Sequence, residues 1–153
     1  MVIDDTEIDR FIAKTMIEKS NFAEQILLMP SGNNALEYLD STSRTMPEDL
    51  PEIILLDIYM PEMNGFEFLD KFKDLPEVIK DNCMIIMVSS SLDSDDIERS
   101  KRNTYAHGFI PKPLMVDKIV KLKPQIMTKY KEVCFSHSPE KANHTDAAKG
   151  DLA

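Results

Sequence analysis

Cysteine is scarce: the 153 residues contain two, Cys83 and Cys134. One possible pair with no close spacing is not a disulfide framework, so both are read as reduced thiols, with Cys83 in the core. Glycine is nearly as rare. Gly32, Gly65, Gly108 and Gly150 are the only four, and none belongs to a G-x-x-x-x-G-K-[ST] loop, which excludes an enzyme built on that phosphate cradle. No apolar run approaches the roughly 20 residues that span a bilayer, and the N-terminus has no basic segment followed by a hydrophobic stretch. The chain is therefore expected to be cytosolic, with no membrane partner. Basic residues are outnumbered, 18 against 27 acidic, and the net charge of −9 would repel a phosphate backbone. Nucleic acid is excluded as a partner. His107, His137 and His144 show no ligand spacing and receive no role.

What remains is the composition of one globular domain: 42% apolar, 29% charged, with seven Phe, four Tyr and ten Met. Short apolar runs alternate with amphipathic segments, the pattern of repeated strand-helix units. Met1 to Ile3 ends at Asp4-Asp5 and is followed by Ile8, Phe11, Ile12 and Met16 at helical spacing. Ile26 to Met29 stops at Pro30-Ser31-Gly32, and Ala35, Leu36 and Leu39 mark a second helix. Ile53 to Leu56 is continuously aliphatic and ends in Asp57, as expected of a central parallel strand buried on both faces. Phe66, Leu69 and Phe72 predict a third helix ending near Pro76.

Met84 to Val88 forms the fourth apolar run and stops at Ser89-Ser90-Ser91. Asp93, Ser94 or Asp95 can cap a mostly polar fourth helix through Ile97. Gly108-Phe109-Ile110 makes a short fifth strand before Pro111-Lys112-Pro113. A last stripe runs through Ile119, Leu122, Ile126, Tyr130 and Val133, with a kink or restart expected at Pro124. Residues 1–134 are read as the folded domain. Residues 135–153 have almost nothing to bury and are read as a disordered tail too short for an output domain.

Right-handed crossovers place every loop that follows a strand at one edge of a parallel sheet, where ligands of open α/β sheets bind. Asp4, Asp5, Asp57, Ser89 and Lys112 end four of the five runs and so converge there. Three carboxylates suit a hard cation such as Mg²⁺. A lysine and a hydroxyl beside it suit a transferred phosphoryl group, whose oxygens need fixed positive charge and donors.

Four motifs carry a family resemblance: Val2-Ile3-Asp4-Asp5, Leu55 through Gly65 (LLDIYMPEMNG), Val88-Ser89-Ser90-Ser91, and Phe109-Ile110-Pro111-Lys112-Pro113-Leu114. In this order at strand ends, over Met1 to about Tyr130, the chain resembles the bacterial response-regulator receiver domain of two-component signalling. The resemblance implies a flavodoxin-like, doubly wound (βα)5 sandwich of three layers around a five-stranded parallel sheet. It implies that Asp57 accepts a phosphoryl group from a histidine kinase or phosphotransfer protein. Asp5, Asp57 and the backbone carbonyl of Tyr59 would bind Mg²⁺, and Asp4 would act mainly through a bound water. Lys112 would pair with the phosphoryl group, Ser89 would swing toward it, and Phe109 takes the aromatic switch position. Signal would leave to a downstream protein or a homodimer through the face formed by the fourth helix, fifth strand and last helix. Serine at 89 and phenylalanine at 109 depart from the commoner threonine and tyrosine.

Each residue also has a plainer reading. Asp4-Asp5 could serve only as helix-capping charge, and Asp57 as a strand-end cap. Lys112 could be an ordinary surface lysine, Phe109 ordinary core, and the methionines gap-filling. Two function classes follow: a phosphorylation switch that is no enzyme beyond self-directed phosphotransfer and autodephosphorylation, or a receiver-like interaction module with a vestigial site. All five site positions keep competent side chains, which favours the switch. An aspartyl-phosphate hydrolase would need a second acid two residues after Asp57, where Tyr59 stands.

Overall fold

In the computed structural model, which describes residues 1–124, the two longest aliphatic runs lie side by side at the centre of a five-stranded, all-parallel sheet ordered β2-β1-β3-β4-β5. The strands are β1 (Val2–Ile3), β2 (Leu28–Met29), β3 (Ile53–Asp57), β4 (Met84–Ser89) and β5 (Ala106–Pro111). In register, Ile54 faces Ile85, Leu55 faces Ile86, Leu56 faces Met87, and Asp57 faces Val88. Side chains of a strand alternate between faces, so each central strand feeds two cores. Ile54, Leu56, Ile85 and Met87 enter one, and Leu55, Met84, Ile86 and Val88 enter the other.

Among the described residues the faces are covered by the α-helices α1 (Glu7–Lys19), α2 (Gly32–Thr45), α3 (Gly65–Phe72), α4 (Glu77–Asn82), α5 (Ser94–Arg102) and α6 (Val116–Val120). The larger core takes Ala35 and Leu39 of α2, four residues of α3 and Ile79 of α4. Phe68 and Phe72 stack there at 6.1 Å between ring centroids. Full burial of such side chains stabilises the fold by roughly 1.5–3 kcal/mol each. The second core takes Ala13 and Ile17 of α1, with Ile119 and Leu122 at and just beyond α6.

Two expectations are corrected. Helix α1 exists, but of the stripe Ile8, Phe11, Ile12, Met16 it is Met16 that packs against the second core. Ala13 and Ile17, four apart, are buried, whereas Ile8 and Phe11 are 64% and 66% exposed. A small alanine lets the helix approach the sheet and so sets which face turns inward. Helix α4 was not anticipated. Its six residues bury only Ile79, too short a stretch for periodicity to register. Helix α6 stops at Val120, a turn covers 121 and 122, and residues 123 and 124 are helical again, the restart expected at Pro124. Ile126, Tyr130, Val133, Cys134 and the tail from 135 lie outside the described residues. Among the described residues, no helix is long and apolar enough to cross a membrane.

The loop after β3 is held by the start of α3. Asn64 accepts from the backbone N–H groups of Phe66 and Glu67 at 2.9 and 3.0 Å, and Glu67 accepts in return from Asn64 N–H at 2.8 Å. Gly65 donates to the Ile58 carbonyl at 2.8 Å, so this turn is pressed against the end of β3. A Cβ at position 65 would stand 2.7 Å from the Asp57 carbonyl oxygen and 3.0 Å from Ile58 Cα. Those neighbours are backbone and cannot rotate away. Gly65→Ala should therefore cost roughly 1–3 kcal/mol, read as a lower urea midpoint. An unchanged midpoint would show that the close approach imposes no constraint.

Candidate functional site

Every expected site residue but Phe109 lies at the C-terminal edge of the sheet. Asp4 follows β1, Asp57 ends β3, Ser89 ends β4, and Lys112 follows β5. Carboxylate oxygens of Asp4, Asp5 and Asp57 approach within 4.8 Å of one another. Asp4 and Asp57 are buried, Asp57 at 4% exposure, while Asp5 faces solvent. An all-oxygen set of this kind fits a hard divalent cation such as Mg²⁺ and not a soft one.

Asp4 has a second duty. Its Oδ1 accepts from Thr6 N–H at 2.9 Å in the turn that leads into α1, whose N-cap is Thr6 itself, so Asp4 is not the helix cap. Its carbonyl also accepts from Arg10 Nη1 at 2.7 Å. Lys112 is no ordinary surface lysine: its ammonium lies 2.7 Å from Asp4 Oδ2, 2.9 Å from Asp9 Oδ2 and 3.1 Å from Asp57 Oδ1. Its loop is fixed on both sides. Lys112 N–H donates to the Ser89 carbonyl at 2.7 Å, and Lys118 Nζ of α6 donates to the carbonyls of Pro111 and Pro113 at 2.8 and 3.2 Å. The Lys112-Pro113 bond is cis.

Burial acts to lower the pKa of Lys112. The hydrogen bonds to Asp4 and Asp9 and the charge of Asp57 outweigh it, so the ammonium keeps its proton more firmly than an ordinary lysine. Burial pushes the Asp57 carboxyl from 3.8 up to about 6, Lys112 working against the rise and Asp4 adding to it. Near neutral pH it is still mostly ionised, and so able to act as a nucleophile.

Ser89 is fully buried, and its Oγ accepts from Ser91 N–H at 3.0 Å. Phe109 lies on β5 opposite Met87, half-buried against the larger core. Tyr59 is 54% exposed, and its hydroxyl donates to Asp96 of α5, which holds the phenol above its ordinary pKa. In the same loop Glu62 adopts φ 66°, a left-handed conformation that turns the chain toward α3. Helix α5, capped by Asp93 as expected, buries only Ser100 and is further tied by Arg99 lying 4.0 Å over the Phe66 ring. Asp9, Asp96, Arg99 and Lys118 were missed in the sequence. No local spacing marked them for the site; Asp9 reads in sequence as first-turn charge on α1.

The raised pKa of Asp57 sets a direction for stability. In chelator, the folded chain holds this proton more tightly than the unfolded chain between pH 3.8 and about 6. The contribution of Asp57 is therefore fully present below pH 3.8 and is lost as pH rises through about 6. Asp57→Asn should be near neutral at low pH and stabilise the metal-free protein by up to about 3 kcal/mol above pH 6. Urea unfolding across this range checks it, and a gain that shrinks as pH rises would contradict the assignment.

Known proteins resemble this chain. A two-component response regulator from Cytophaga hutchinsonii is 30% identical and superposes with a TM-score of 0.77 over 83% of this chain and 94% of its own. Two-component response regulator ORR5 from rice, Oryza sativa, is 29% identical over 127 residues, 83% of this chain and 87% of that protein. Protein-glutamate methylesterase/protein-glutamine glutaminase 3 from Burkholderia thailandensis is 36% identical over 90 residues, 59% of this chain, which spans only 22% of that protein's length. Rice relatives stand beside bacterial ones, so the likeness does not assign the chain to bacteria. The family profile for the response regulator receiver domain matches residues 1–123 with the acidic cluster and Lys112 inside it, and the chain belongs to that family.

Proposed function

We propose that this chain is a cytosolic phosphorylation switch: Asp57 accepts a phosphoryl group from a histidine kinase or histidine phosphotransfer protein in a Mg²⁺-dependent reaction. The observation that carries this reading is the partly buried Lys112 ammonium, 3.1 Å from the Asp57 carboxylate and beside three further carboxylates. An Asp57 oxygen forms the new P–O bond while the P–N bond of the donor phosphohistidine breaks, its electron pair staying on the imidazole. Mg²⁺ held by Asp4, Asp5, Asp57 and the Tyr59 carbonyl would offset the charge on the incoming oxygens. Lys112 supplies the one fixed positive charge that the chain itself brings to the acceptor. Beyond taking up and hydrolysing its own phosphoryl group, the chain turns over no substrate in this reading. The exposed Ile8 and Phe11, on the first two turns of α1 beside the site, support docking of the phosphodonor protein there.

Output follows from Ser89 and Phe109. Movement of Ser89 toward the phosphoryl group opens space beside β4, and Phe109 on neighbouring β5 is the large side chain able to take it. The face formed by α5, β5 and α6 then changes shape for a downstream protein or a second copy of the chain. The weak apolar anchorage of α5 supports this, since a helix burying one serine is free to shift.

Incubation with acetyl phosphate and Mg²⁺ should add one phosphoryl mass to the unmutated protein and none to Asp57→Asn, and chelator should abolish the gain. The same gain in Asp57→Asn would move the acceptor elsewhere, and no gain in the unmutated protein would leave the interaction-module reading. Phe109→Ala should keep this phosphorylation within about threefold, since the ring lies away from the reacting atoms. It should weaken the phosphorylation-dependent change in amide exchange over residues 92–123. An unchanged exchange response would remove Phe109 from the switch.

A further inference from the structure

An ammonium group has three N–H donors and accepts nothing. Two of Lys112's are given to carboxylates, Asp4 Oδ2 at 2.7 Å and Asp9 Oδ2 at 2.9 Å, and the ammonium stands 3.1 Å from Asp57 Oδ1 as an ion pair, with the third donor left for it. Asp9 is not required for charge balance, because Asp4 and Asp57 are both buried and already bring two negative charges. Its effect is directional. A lysine head on a four-carbon stem rotates freely about its bonds, and a single anchor leaves that rotation open. Two anchors, one just after β1 and one on α1, fix where the third N–H points.

The anchor on α1 sits on a rigid support. The helix runs thirteen residues from Glu7 to Lys19 and is seated on the sheet by buried Ala13 and Ile17. Asp9 lies in its first turn, and its side chain is about one third exposed, at 35%. It is therefore a hydrated carboxylate that holds its place while the reacting group changes. When Asp57 becomes an acyl phosphate, the donor on Asp57 has a new acceptor in a phosphoryl oxygen, and neither anchor has to be released.

We propose that Asp9 is a positioning residue for phosphoryl acceptance: with Asp4 it occupies two donors of Lys112 and aims the third at Asp57. The proposal deepens the phosphoacceptor reading and rests on it. Asp9 touches neither Asp57 nor the phosphoryl group, and acts through Lys112 alone.

Initial rates of phosphorylation by acetyl phosphate, at Mg²⁺ concentrations saturating for each protein, compare the unmutated chain with Asp9→Ala and Asp9→Asn. Alanine removes the anchor and the charge, whereas asparagine removes the charge and keeps an oxygen acceptor at the same reach. Loss of one charge-assisted hydrogen bond that orients a reacting group should slow Asp9→Ala about tenfold. Asp9→Asn should retain the rate within about threefold, because a neutral acceptor still holds the N–H. Were Asp9 acting only through its field on the acetyl phosphate anion, the two variants would change equally, and that result would overturn the proposal. So would an Asp9→Ala rate equal to or above that of the unmutated chain, the latter marking Asp9 as a competitor for Lys112. If Asp9→Ala does not fold, Asp9→Leu, similar in size and without an acceptor, takes its place. No phosphorylation of the unmutated chain would overturn the acceptor reading itself, and the positioning role with it.

Discussion

The site depends on one ammonium group buried among carboxylates. Taking a lysine head out of water is costly unless every donor is met, and leaving carboxylates in proximity is costly unless a cation lies between them. Each solves the other's problem here. The solution joins residues up to 108 positions apart in the chain, Asp4 and Lys112, so it exists only when the sheet is complete. The interaction is thus a product of topology and a reason for its accuracy. A small error in the loop after β5 would strand a charge.

Much of the remaining local structure serves to hold the two sides of that contact. Lys118 secures the carbonyls flanking Lys112, and the Ser89 carbonyl takes its N–H. On the other side, Gly65 and the reciprocal Asn64–Glu67 cap clamp the turn that follows Asp57. Both bear on the distance at which Asp57 and Lys112 meet.

The sheet and the acidic site were legible because they rest on signals that local sequence carries without ambiguity. Ile53–Leu56 and Met84–Val88 are wholly aliphatic and end in polar residues, and parallel order then sends Asp57 and Ser89 to one edge. The inner face of α1 was not legible. Ile8 and Phe11 are more hydrophobic than Ala13, yet Ala13 is buried with Ile17 while Ile8 and Phe11 face outward. Pattern reading assumes that the most apolar stripe is the buried one, and an exposed pair of large residues defeats it. Asp9 escaped for a related reason. An acidic residue in a first helical turn already has an explanation in the helix dipole, and only the position of Lys112 in space gives it another. The Tyr59 hydroxyl is drawn toward α5 by Asp96, 37 residues later. No local spacing encodes that partner.

Helix α5 buries a single serine and is tied to its neighbours by polar clasps, from Tyr59 to Asp96 and from Arg99 to Phe66. Its outward residues therefore answer to little inside the molecule. In most helices a change of surface residue must respect the packing beneath it, so that the choice of partner and the integrity of the fold draw on the same positions. Here they draw on different ones. The surface of α5 can be rewritten for a new listener while the acid pocket and both cores stay as they are, and a lineage of such chains could diversify its audience without relearning its chemistry.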